Sequence, residues 1–162
     1  MRKKITKIIL LGVVIIMGLG VFAGCDSGGN NGIQFDIGSR ENTNFITFEF
    51  AEITQLVRSS EDLQQLYERH GLLLDDATYD ESFFSSKAVI VHLFIEPSVS
   101  VTNQIDKVDI QEEELIITVL RLVPRSGNFL DAEENEIFLI VVSQDDVENI
   151  NTISVVQREQ TK

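Results

Sequence analysis

Hydrophobic positions along the chain fall into three regimes. Residues 8–20, IILLGVVIIMGLG, form an unbroken apolar run. Residues 26–44, DSGGNNGIQFDIGSRENTN, are rich in Gly, Asn and Ser and carry only Ile33, Phe35 and Ile37 as apolar islands. From residue 44 onward, apolar residues recur with the periods of secondary structure. Ile46, Phe48 and Phe50 alternate, then the phase slips near Ala51 and Ile53, Gln55 and Val57 take over; this predicts a strand with a bulge, or two strand pieces. Residues 59–70 carry Leu63, Leu66, Tyr67 and His70 at i, i+3, i+4 and i+7, one apolar face of a helix. Ser59 is placed to cap it, with Asp62 approximating a capping box, and Gly71 is placed to end it in a left-handed cap.

Residues 72–86 read as a connector, kept wet by Asp75, Asp76, Asp80 and Glu81 and pinned by Leu72, Leu73, Tyr79, Phe83 and Phe84. Residues 88–95 are apolar on both faces apart from His92, the pattern of a central strand covered on both sides. Residues 96–98, Glu-Pro-Ser, close it, since proline cannot donate to a ladder. Further strands are predicted over 104–110, 115–123, 136–142 and 152–157. The first two pair through the acidic turn at Glu112, Glu113 and Glu114, and a polar loop spans 124–134. One early helix followed by closely spaced strands predicts an α+β domain, with a mainly antiparallel sheet and one covering helix. The three alternating residues at 33–37 leave room for a short edge strand inside an otherwise spacer-like stretch. The expected organisation is an export segment over 1–24, a flexible tether over 25–43 and one globular domain over 44–162.

The amino-terminal regime changes the picture most. MRKKITK is a positive start, the apolar run follows, and small residues lead to Cys25; these are the parts of a secretory signal. The apolar stretch 8–24 is at the lower edge of what spans a bilayer, so an uncleaved membrane anchor is the alternative. The run Phe22, Ala23, Gly24, Cys25 resembles the lipobox of bacterial lipoproteins, with Phe22 in place of the more usual Leu. That resemblance implies cleavage after Gly24 and a diacylglyceryl group on the sulfur of Cys25, which becomes the mature amino terminus. Two or more acyl chains hold a protein stably at a membrane. Cys25 is the one cysteine of the chain, so no intramolecular disulfide forms.

The formal net charge is -13. Arg2, Lys3, Lys4 and Lys7 leave with the export segment, so 9 basic residues face 26 acidic ones and the mature chain carries about -17. Such a domain repels phosphate backbones, which excludes nucleic acid as an expected partner. It also disfavours direct adsorption to anionic lipid.

Chemistry-bearing motifs are sparse. His70 and His92 are the only histidines, too few for an ordinary zinc site. His70 is expected at a helix end, where its cation would suit the dipole. His92 is expected as a hydrogen-bonded strand residue. Asp131, Glu133 and Asn135 alternate as in an EF-hand, but Glu136 stands where glycine is needed and Val142 where glutamate is needed. Asp75 and Asp76, Glu112 to Glu114, and Asp145, Asp146 and Glu148 read as solvated turns. No nucleophile motif or phosphate loop is present, and there is no Trp. No catalytic residue, metal or cofactor is expected.

The element order carries a further likeness. A helix with Ser59 and Asp62-Leu63 at its start leads to the connector Tyr79-Asp80-Glu81-Ser82-Phe83-Phe84 and the apolar strand 88–95. The loop Ser98-Val99-Ser100-Val101 and the strands at 108–110 and 115–122 follow, then Arg121 and Pro124. Over about residues 53–148 this resembles the small bacterial envelope domains grouped with the C-terminal domain of the protease-complex lipoprotein PrcB. Many relatives carry a Gly-rich turn after the central strand; here 97–101 has no glycine. The resemblance implies a non-catalytic, membrane-anchored interaction module, accessory to an exported protease or another envelope complex on the extracytoplasmic face. Recognition tends to sit on loops held by a rigid sheet, so Pro97, Ser98, Ser100, Asn103, Pro124, Arg125 and Asn128 are the expected contact residues. The acidic charge leaves a small-ligand or cation-binding surface lipoprotein as the alternative.

Overall fold

The structure, a computed structural model, describes residues 32–43, 52–72, 77–125 and 132–162, with side chains described outside 39–43. In chain order the elements are β1 (Phe35–Thr43), β2 (Ile53–Val57), α1 (Ser60–Arg69), α2 (Glu81–Phe84), β3 (Lys87–Glu96), β4 (Thr102–Gln111), β5 (Glu114–Val123), β6 (Glu134–Ser143), a 3-10 turn (Asp145–Val147) and β7 (Thr152–Thr161). They make a four-stranded antiparallel sheet ordered β1-β6-β3-β2 and a three-stranded sheet ordered β4-β5-β7.

The class expected from the sequence, a strand-rich α+β fold, is present; its architecture is more layered. Three layers stack: helices, the four-stranded sheet and the three-stranded sheet. The central sheet is covered on both faces, which explains why β3 and β6 are apolar in both phases. Val89, Val91 and Leu93 of β3, with Ile137, Leu139 and Val141 of β6, meet Leu63, Leu66 and Tyr67 of α1. Ala88, Ile90 and Phe94, with Phe138, Ile140 and Val142, meet Val108 of β4 and Leu115, Ile117 and Val119 of β5.

Helix α1 starts where the Ser59 side chain accepts from the Asp62 N–H at 3.1 Å. It ends at Gly71, whose φ of 65° places it in the left-handed region. Within the connector, Asp80 caps the short helix α2 by accepting from Phe83 N–H at 2.8 Å.

Two expectations are corrected. First, the tether expected over 25–43 is too long: Phe35–Thr43 is an edge strand on β6, and Ile33 and Phe35 pack into the space between the sheets. Composition misled because an edge strand needs apolar residues on one face only. A bulge separates Ile37 from Ser39. A Cβ on Gly38 would run into the Tyr79 hydroxyl and stand 3.1 Å from Val141 Cγ2, so the close approach requires glycine. Second, the one sheet expected is two sheets; the pairing is mainly antiparallel as expected, with one exception. Strands β5 and β7 pair in parallel over ten residues. Parallel neighbours need a long crossover, and β6, placed in the other sheet, supplies it. Of the segment at 44–57, β2 is described; the alternation at 46–50 lies outside the described residues.

The layers are tied along both sides. Gly32 bridges Asp109, and Ile33 N–H donates to Val108 O at 2.9 Å, joining the start of β1 to β4. On the other side Arg58, after β2, donates to Val147 O at 2.7 Å. The strand registers give the molecule two ends. One holds the β4–β5 hairpin at Glu112 and Glu113 and the 3-10 turn, linked where Asn151 N–H donates to Glu113 O at 3.1 Å. The other holds the β3–β4 turn, 97–101, the end of β5 with Pro124 and Arg125, and the start of β6, because Glu96 pairs with Glu134 and Thr102 with Leu122.

Candidate functional site

The loop end is built over charge rather than over hydrocarbon. Inward positions of β3 run Ile90, His92, Phe94, Glu96, and those of β6 run Val142, Ile140, Phe138, Glu136. At this end the apolar series continues into carboxylates that are 2% and 1% exposed. From the facing sheet, Asn103 at the start of β4 and Arg121 near the end of β5 reach them.

The contacts satisfy most of this charge. Arg121 Nη2 donates to Glu96 Oε1 at 2.8 Å and Nε to Oε2 at 3.1 Å, a two-point grip. Asn103 Nδ2 donates to Glu96 Oε2 and to Glu136 Oε1, each at 3.0 Å, bridging the two carboxylates. Arg121 also pairs with the exposed Glu159 of β7. Burial pushes the Glu96 pKa up. The hydrogen bonds from Arg121 and Asn103, the Arg121 charge and the Ser98 backbone outweigh it and hold the carboxyl below its ordinary value. Arg121 is correspondingly raised, first by its hydrogen bond to Glu96. The network clamps the two sheets together beneath the 97–101 turn.

The expected contact residues divide accordingly. Pro97 is exposed, Ser100 and Pro124 are half-buried and Arg125 is exposed, and all four lie at this end. Val99, 41% exposed, lies on the same turn. Ser98 and Asn103 are corrected: both are buried. The Ser98 carbonyl accepts from Val101 N–H at 3.0 Å and shapes the turn, while the Asn103 amide supports the end from beneath. Asn128 lies outside the described residues, as do Gly24, Cys25 and Asp131.

Sequence reasoning passed over Glu96, Glu136 and Arg121 as site residues. A signal was present. Each carries a charge in the buried phase of an otherwise apolar strand, which demands a partner inside.

The histidines play other parts. His92 is fully buried; its Nδ1 and the Thr54 Oγ1 share a hydrogen bond of 3.0 Å, and its ring stacks on Phe94 at 4.8 Å. Burial pushes its pKa down to about 4, so the ring is neutral at pH 7. His70 stands at the helix end as expected, where its backbone N–H donates to Leu66 O and Tyr67 O to close α1; burial, then the Arg69 charge, lowers its pKa, which works against the cation expected there.

Among the described residues, no group of three or more His, Cys, Asp and Glu side chains could hold a metal ion, and no helix is long and apolar enough to cross a membrane. A groove of about 290 Å³ follows the seam of β2 and β7, lined by Thr54, Gln55, Leu56, Arg58, Ile150, Asn151 and Ile153. Set against protein-family models, curated proteins and solved structures, the chain matches none of them.

Proposed function

We propose that the chain is an exported lipoprotein, cut before Cys25 and held at the extracytoplasmic face of the cell membrane by a diacylglyceryl group on that residue. Its domain acts as a non-catalytic interaction module, accessory to an exported protease or another envelope complex. The observation that carries the anchor is the run Phe22-Ala23-Gly24-Cys25 behind a charged start and an apolar stretch. The module reading draws on the PrcB-like element order and on the loop end, where Pro97, Val99, Pro124 and Arg125 sit on two clamped sheets. Metabolic labelling with a clickable palmitate should mark the wild-type chain and not a Cys25→Ser variant; equal labelling of both would remove the anchor. For the module, the solubilised full chain is cross-linked in its own envelope and captured. Enrichment of one exported protease or envelope enzyme is expected. Its retention after joint alanine substitution of Pro97, Val99, Pro124 and Arg125 would reject the loop end as the contact.

A second reading, a small-ligand or cation-binding surface lipoprotein, draws on the mature charge of about -17 and on the β2–β7 groove, whose volume approaches the small end of ligand pockets. A ligand that binds only the folded state raises its melting temperature. A thermal-shift screen with calcium and small cationic solutes that leaves the transition unmoved rejects it.

A further inference from the structure

The point at which the chain enters the fold decides which end of the domain meets the membrane, given the anchor at Cys25 on which this inference rests. Gly32 is bridged to Asp109, and Ile33 is hydrogen-bonded to Val108. Asp109 lies two residues before Gln111, where β4 turns into the hairpin. Phe35, opening β1, pairs with Val142 near the same end. Six residues, 26–31, separate Cys25 from Gly32, and seven Cα steps reach at most about 25 Å. Strand β4 then runs nine steps from Gln111 to Thr102, about 30 Å at strand rise. The tether therefore grips the hairpin end and leaves the loop end free.

We infer that the anchored domain stands on its hairpin end, with the 97–101 turn and the end of β5 at Pro124 and Arg125 directed away from the bilayer. A body held to a wall by a short chain at one end keeps more orientations with its other end pointing outward. A partner on the loop end therefore approaches from the exterior: a soluble exported protein or a tall ectodomain, not a membrane-embedded one.

Charge opposes this arrangement only at short range. Glu112, Glu113, Asp145, Asp146 and Glu148 are exposed at the hairpin end, while the loop end is mixed, with Arg125 and Lys162 beside the exposed Glu133 and Glu159. Their interaction with an anionic leaflet decays over a Debye length of about 8 Å at physiological salt. That is well inside the tether's reach, so the carboxylates hold the hairpin end off the surface without turning the domain over.

The test uses the full lipidated chain in phosphatidylcholine vesicles carrying rhodamine on a fraction of the headgroups. A donor dye is placed on a new thiol, Asp146→Cys at the hairpin end or Val99→Cys at the loop end; both sites are exposed, and the Cys25 sulfur is blocked by its lipid. Energy transfer should quench the Asp146→Cys donor about twofold more than the Val99→Cys donor, given the strand length between the ends. Equal quenching, or stronger quenching at Val99→Cys, overturns the orientation. A twenty-residue Gly-Ser insertion after Asn31 should shrink the difference; an unchanged difference would mean that surface contact, not the tether, orients the domain, and overturns the inference. Flotation separates the two layers of argument. A wild-type chain that fails to float with the vesicles, or a Cys25→Ser chain that floats equally well, removes the anchor reading itself and this inference with it.

Discussion

The space between the two sheets is filled differently at its two ends. At the hairpin end, Ala88, Ile90, Ile140, Val142, Leu115 and Ile117 close on one another, and Val147 and Ile150 plug the opening. At the loop end the same strands carry Glu96, Glu136 and Arg121 inward, with Asn103 between them. Along β3, β5 and β6 the alternation never breaks, and only the chemistry of the inward position changes; β4 shifts phase at a bulge between Ile105 and Lys107. The hairpin end is stabilised in proportion to the apolar area it removes from water, at any pH. The loop end is stabilised only while each charge has its partner, because taking ions out of water is repaid only by good geometry. An apolar end tolerates rearrangement. A bidentate, bridged end has one arrangement.

The largest effects fall on the fillings themselves. Leu115→Ala at the hairpin end should destabilise by about 3 kcal/mol, the loss of transfer energy plus a cavity, by the same amount at pH 7 and pH 4.5. Arg121→Met keeps the aliphatic stem and removes the guanidinium, leaving Glu96 buried without its cation. It should destabilise by about 3 kcal/mol at pH 7. In the wild type the Glu96 pKa lies below its unfolded value, so its contribution is present above the unfolded pKa and is lost as pH falls through the folded one. In Arg121→Met that contribution is already gone. The wild-type and variant curves should therefore converge in acid, while the Leu115→Ala curve stays parallel to wild type. Guanidinium unfolding at both pH values reads the difference. Parallel offsets for both variants would erase the distinction between the ends.

A smaller effect sharpens the border between the two fillings. His92 sits between Ile90 and Phe94, neutral, with a folded pKa of about 4 against an ordinary 6.5. The unfolded chain therefore takes up a proton between these values and the folded chain does not. The stability contributed by neutral His92 is complete above pH 6.5. It declines by about 1.4 kcal/mol per pH unit as pH falls to about 4, where the slope ends. His92→Gln, neutral throughout, should flatten the stability profile in that window and leave it unchanged in shape above pH 7. A slope of the same size in the variant would assign it to other groups.

What could be read from the sequence followed from local physics. The cap at Ser59, the left-handed Gly71, the two-sided strands β3 and β6 and the β4–β5 hairpin all depend on spacing within about ten residues. Burial phase says that a face is covered but not by what. Two sheets therefore looked like one sheet with a helix, and the parallel β5–β7 pair was hidden by the β6 strand between them. The polar cluster was out of reach for the same reason. Its members come from four strands, with Asn103 and Glu136 33 residues apart, and Glu96 and Glu136 read as the polar margins of apolar strands. Strand β1 was half legible: the alternating Ile33, Phe35 and Ile37, the last two within it, marked an edge, while its polar carboxyl-terminal half resembled spacer.

The smallest effect concerns strain at the hairpin end, where the core is most tolerant. Glu112 has a φ of 58°, in a two-residue turn between the paired Gln111 and Glu114. The left-handed region costs an L-residue with a Cβ about 1 kcal/mol, and hairpin turns of this length favour Gly or Asn there. Glu112→Gly removes the strain but adds freedom to the unfolded chain, so the net gain should be about 0.5 kcal/mol. Glu112→Asn should gain a similar amount, because a short amide tolerates this conformation. Glu112→Ala isolates the charge: it removes one of three adjacent carboxylates and keeps the strain, so its melting temperature should stay near wild type. If Glu112→Ala stabilises as much as Glu112→Gly, repulsion among Glu112, Glu113 and Glu114 is the burden and not the backbone. The hairpin end would then share with the loop end a dependence on charge, differing only in that its carboxylates face water, where salt can screen them.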